Sequence, residues 1–151
     1  MELQAVAEIE LVPNPIRAEL LKQLLAMDDA QNRELDWNYA SDPETRVKAS
    51  RIVNMAANLI RDYGWIKRRY GSRVGGFCCM GALTEAMMPE ISTDTEYDSL
   101  YLELRAAFWN RHRIGHIPTW NDKLPDEMGR ETVINVLCDV AAYLAEPQAV
   151  N

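Results

Sequence analysis

The chain has 151 residues, 48% hydrophobic and 26% charged, with a formal net charge of −7. That is enough for one compact domain whose core needs no disulfide or metal. The negative balance weighs against a broad nucleic-acid face, because phosphate binding draws on a basic surface. No run of about 18 apolar residues is present to span a membrane.

Residues 1–12 alternate weakly, with Leu3, Ala5, Ala7, Ile9 and Leu11 on one side and Val6 and Val12 breaking the pattern. An edge strand and an ordered arm both fit. Asn14-Pro15 then reads as an N-cap followed by proline at the first helical position. Ile16, Leu20, Leu24 and Met27, widened by Leu21 and Leu25, predict a first helix over about 15–28. Residues 29–41, with Trp37 and Tyr39, are polar and aromatic without a period and read as a connector.

Asp42-Pro43-Glu44 repeats the cap-then-proline signal. Val47, Ile52, Val53, Ala56, Leu59, Ile60 and Tyr63 mark a long amphipathic helix, and Gly64 stands where a C-cap glycine belongs. Residues 65–76 carry aromatics, basic residues and three glycines, the signature of a loop or short hairpin. A helix from near Phe77, with Leu83 and Met87 on one face, stops at Pro89. Ser92, Thr93 and Asp94 offer caps for the next helix, striped by Tyr97, Leu100, Tyr101, Leu104 and Phe108. Residues 110–129 are rich in turn formers. The last helix, about 130–145, faces Val133, Ile134, Leu137, Val140, Ala141 and Leu144 inward, and Pro147 marks its end.

These elements predict a mainly α protein: a single compact domain of about five helices, with a short β element near the N-terminus or in 65–76. The division is an extension over 1–41 containing one helix, a helical core domain over 42–146 and a tail over 147–151. Met1-Glu2-Leu3-Gln4 lacks the basic flank and apolar run of a signal peptide. With three cysteines, an odd number, this fits a reducing, cytoplasmic setting. Lys67-Arg68-Arg69, with Arg61 and Arg73, is a small basic island best read as a solvated loop. An acidic surface suits a monomer, leaves a homodimer open, and equally suits docking to a protein partner.

The run Gly75-Gly76-Phe77-Cys78-Cys79-Met80-Gly81-Ala82-Leu83 sets two cysteines at a helix start behind a glycine pair. A helix N-terminus favours a thiolate, and glycines let backbone approach a substrate or bend sharply. A nucleophilic thiol needs a base, and the histidines are His112 and His116. Cys78 or Cys79, then His116, then Asn121 or Asp122 follow the order of papain-like thiol enzymes. A cysteine-dependent hydrolase or transferase is therefore one reading. The competing one is burial of two small apolar side chains. Adjacent cysteines with a remote Cys138 lack the spacing of a zinc site, and Cys138, next to Leu137, is expected in the core. A vicinal Cys78–Cys79 disulfide would be strained.

Ile117-Pro118-Thr119-Trp120-Asn121-Asp122 offers an aromatic platform for a ligand or interface, or Asx-turns that shape the approach to the last helix. The carboxylate pairs Asp28-Asp29 and Asp126-Glu127 sit in polar connectors and read as solvated. Gly71, Gly75 and Gly76 do not form a phosphate-binding glycine pattern. No cofactor motif is present.

Four stretches together resemble a small helical domain of unknown function that recurs in actinobacteria and their bacteriophages. They are Ala56-Ala57-Asn58-Leu59-Ile60-Arg61-Asp62-Tyr63-Gly64-Trp65, Phe77-Cys78-Cys79-Met80-Gly81-Ala82-Leu83, Trp120-Asn121-Asp122 and Glu131-Thr132-Val133-Ile134. The resemblance covers about residues 45–146. It implies a compact helical domain, often phage-borne, without an assigned activity. One cysteine before Gly-Ala-Leu belongs to that pattern and aligns best with Cys78; His116 does not belong to it.

The expected function is accordingly a bacteriophage- or prophage-type cytoplasmic protein that binds a host or phage protein. Trp120, Asn121, Asp122, Trp65 and Trp37 are its candidate binding residues. The alternatives are the thiol enzyme using Cys78, Cys79, His116 and Asn121, and a small-ligand binder with Trp65, Cys78 and Trp120 around a pocket.

Overall fold

The computed structural model describes residues 42–147. The strand or arm at 1–12, the helix at 15–28, the connector with Trp37 and most of the tail lie outside the described residues. Within them the chain is mainly helical, one compact domain with a short two-stranded sheet.

Helix α1 spans Pro43–Tyr63. Asp42 caps it, its Oδ2 accepting from the Thr45 N–H (2.9 Å) and the Thr45 hydroxyl (2.9 Å). Gly64 ends it, its N–H donating to Ile60 O while φ swings to 105°. Both ends follow from the local sequence. The apolar stripe is buried from Ile52 to Ile60, but its outer members differ from expectation: Val47 is 53% exposed and Tyr63 is exposed too.

Residues 65–78 form the short hairpin. Strands β1 (Gly71–Ser72) and β2 (Gly76–Phe77) pair antiparallel, Gly71 opposite Phe77 and Ser72 opposite Gly76. The glycine pair of the cysteine run therefore closes a hairpin instead of presenting backbone to a substrate. Helix α2 (Cys79–Met87) follows at once and passes into a 3-10 turn at Met88–Glu90, where Pro89 prevents further α-helix.

Helix α3 (Asp94–His112) is capped by Thr93, whose Oγ1 accepts from the Glu96 N–H (3.1 Å). Arg113, left-handed at φ 57°, terminates it. Helix α4 (Ile117–Lys123) lies in the stretch that reads as turn formers, with His116 as its cap and Pro118 in its first turn. Helix α5 (Gly129–Ala145) buries the residues expected of it: Val133, Ile134, Leu137, Val140, Ala141 and Leu144. Cys138 departs from expectation. It is only half-buried, at the edge of α5, where Arg61 donates to its Sγ (3.1 Å).

Helix α1 is the central element, packed chiefly on α5 and also on α2 and α3. The core between them is filled by Ile52, Ile60, Phe77, Met80, Leu83, Met87, Leu100, Tyr101, Phe108 and Leu137. No helix among the described residues is long and apolar enough to cross a membrane.

Candidate functional site

The motifs that stand apart in the sequence converge on one buried clasp. At its centre is Asn121, with no exposed surface. Its Oδ1 accepts from the Trp65 indole Nε1–H (2.7 Å) and from the backbone N–H of Cys79 (3.0 Å). Its Nδ2 donates to Ile66 O (3.2 Å) and to Asp122 Oδ1 (3.2 Å). Two acceptor sites and two donors are thus all used, the condition for burying an amide without penalty. Asp122 Oδ1 also accepts from the Arg68 N–H (2.9 Å), fixing Arg68 at φ 67°. One short helix thereby pins the loop after α1 and the first turn of α2.

Backbone approach closes the clasp further. A Cβ on Gly81 would lie 1.9 Å from Tyr70 O, so only glycine lets α2 meet the hairpin here. A Cβ on Gly129 would lie 2.0 Å from the Trp65 ring, so the start of α5 is packed flat beneath that indole. Cys78 N-caps α2: the Gly81 N–H donates to its Sγ (3.3 Å).

This setting decides the chemistry of the thiols. Burial pushes the Cys78 thiol up to about 12, outweighing the helix-start N–H of Gly81, which acts downward. Burial likewise raises Cys79 well above the ordinary thiol range. Burial thus favours the protonated form of both thiols, and a protonated, buried thiol is a poor nucleophile. His116 is engaged elsewhere. It caps α4, its Nδ1 accepting from the Thr119 N–H (3.2 Å) and meeting the Thr119 hydroxyl at 2.6 Å. Its Nδ1 is thereby engaged in capping α4. Among the described residues no three of His, Cys, Asp and Glu are grouped to hold a metal ion.

Open surface lies on the other side of α4. A groove of about 390 Å³ runs between the end of α3, α4 and α5, with Trp120, His116, Thr119, Lys123, Arg113 and Val136 among its lining residues. His112 stands at its rim, its Nε2 2.8 Å from Asp139 Oδ2. Arg111 holds the Asp139 carboxyl below its usual range through two 3.0 Å hydrogen bonds, with His112 contributing less. Arg113 lies over the Trp109 ring at 5.3 Å. The groove is rimmed by nitrogen bases on a chain of negative net charge.

The candidate residues therefore separate. Trp65, Cys78, Cys79, Asn121 and Asp122 meet in the clasp, Trp120 and His116 line the groove, and Trp37 lies outside the described residues. Neither Trp65 nor Cys78 lines this groove. Lys123 and Arg113 escape a reading of the sequence. The signal that would have found them is the spacing of Ile117, Trp120, Asn121 and Leu124, which is helical and marks α4.

A model of the family of unknown function DUF6197 matches residues 44–145, and the chain belongs to that family. No curated protein and no solved structure matches it.

Proposed function

We propose that this DUF6197 member is a non-catalytic binding module that engages a protein partner through the groove walled by Trp120. One observation carries the reading. The residues that look reactive in the sequence are spent on internal hydrogen bonds, whereas Trp120, Lys123 and Thr119 stand at an open concave surface. An indole beside cations is a recurring anchor at protein interfaces. The basic rim favours an acidic segment of the partner carrying one apolar or aromatic side chain to lie against Trp120. In this reading the protein is of phage or prophage type and works in the host cytoplasm on a host factor. The resemblance to a domain shared by actinobacteria and their phages supports that setting.

The test is site-specific photo-cross-linking in the host cytoplasm. A photoreactive residue at Thr119 should yield one discrete adduct, which Lys123→Glu abolishes, while the same probe at Asn54 on α1 yields none. Equal adduct patterns from Thr119 and Asn54, or none from either, would overturn the proposal.

A further inference from the structure

Elsewhere on the described surface, cations are repeatedly matched by carboxylates. Glu96 meets Lys48 at 3.1 Å, Asp126 meets Lys67 at 2.8 Å and Asp139 meets Arg111 at 3.0 Å. The groove walled by Trp120 differs. None of the described residues lining it is a carboxylate, although the chain holds 23 acidic residues. Its ionisable lining residues are all basic: His112, Arg113, His116 and Lys123. Asp139 is already taken, accepting two hydrogen bonds from Arg111 and lying against His112. Asp122, next to Lys123 in sequence, is turned into the clasp, where its Oδ1 accepts from the Arg68 N–H and from Asn121. Lys123 and Arg113 are both exposed and form no ion pair among the described residues. Arg113 donates to Trp109 O (3.1 Å), which spends one of the five donors of its guanidinium.

We propose that the group this groove takes from its partner is a phosphotyrosine side chain. The inference rests on the reading that the groove engages a protein. Two unneutralised cations call for about two negative charges. A carboxylate brings one charge on two acceptor oxygens, whereas a phosphoryl group brings about 1.5–2 charges and three acceptor oxygens. Helix α4 also sets an aromatic surface beside the cation. Trp120 and Lys123 are three residues apart, on one face and about 4.5 Å apart along the axis. A phosphotyrosine joins the same two features in one side chain, a ring for the indole and a dianion for the ammonium and guanidinium. Phosphoserine offers the charge without the ring, and a glutamate offers neither the ring nor the second charge. On a chain of net charge −7, a dianion is repelled by most of the surface and drawn to this groove.

The test follows the Trp120 indole N–H signal of the full-length, nitrogen-15-labelled chain by NMR, assigned by its loss in Trp120→Phe. N-acetyl-phosphotyrosine amide should shift it saturably, and Lys123→Glu should weaken that binding at least about tenfold. The unphosphorylated amide, the phosphoserine amide, inorganic phosphate and adenosine monophosphate should each bind more weakly. No saturable shift overturns the proposal, as does equal or tighter binding by any of those four probes. A second arm repeats the cross-linking from Thr119 in host cells that also express a tyrosine-specific phosphatase, where the adduct should disappear. An adduct that survives the phosphatase overturns the phosphotyrosine inference and leaves the protein-partner reading standing. No adduct even without the phosphatase removes that reading and the inference with it.

Discussion

Trp120 and Asn121 are consecutive residues of one short helix, and they serve opposite purposes. Asn121 points into the clasp, where all four of its hydrogen-bonding positions are filled by Trp65, Cys79, Ile66 and Asp122. Trp120 points into a groove that solvent reaches. The difference teaches that chemical conspicuousness and availability are separate properties. The paired cysteines look like a nucleophile at a helix start, but burial favours their protonated form. The groove joins Trp120 and His116, both conspicuous in the sequence, to Arg113 and Lys123, which are unremarked there.

The comparison is open to attack from the clasp side first. Asn121→Ala should cost about 3–4 kcal/mol in denaturant unfolding, because the Cys79 N–H and Ile66 O lose their partner inside the core. A loss below about 1 kcal/mol would show that the clasp is ornamental. Gly81→Ala comes next, at about 2 kcal/mol, since the added methyl meets a backbone carbonyl that cannot swing aside.

The thiols supply a pH-dependent check. The folded Cys78 value near 12 lies above the unfolded thiol value, about 8.5. Its contribution is therefore complete below pH about 8.5 and is lost progressively as pH rises toward 12. Cys78→Ala should flatten the alkaline limb of the stability profile. Native-state iodoacetamide at neutral pH should modify Cys138 and spare Cys78 and Cys79, read by peptide mass. The smallest effect is expected on the groove side: Lys123→Ala should change stability by less than about 0.5 kcal/mol, while lowering cross-linking from Thr119. A stability loss comparable to that of Asn121→Ala would erase the distinction between the two sides of α4.

Much of the fold is legible in the sequence, for reasons that are local. Asp42-Pro43 and Gly64 bracket α1, Thr93 starts α3, and the stripes of α3 and α5 are long enough for their period to stand out. Helix α4 is easily missed because its helical spacing covers only two turns and competes with Pro118, Asn121 and Asp122, each a turn former on its own. Tertiary bonds to Asn121 override those tendencies. The clasp was visible only as a set of unconnected conspicuous residues. Trp65 and Cys79 lie 56 and 42 positions from Asn121, and no local pattern encodes such a pairing. The exposure of Val47 and the half-exposure of Cys138 belong to the same class, since periodicity gives a face but not what lies across from it.

Those separations also bear on kinetics. Closing loops of 42 and 56 residues costs chain entropy before any bond of the clasp repays it, whereas the helices form from near neighbours. If Asn121 engages late, weakening it should hasten unfolding while leaving the refolding rate almost unchanged. The amide would then set the lifetime of the native state more than the speed of reaching it.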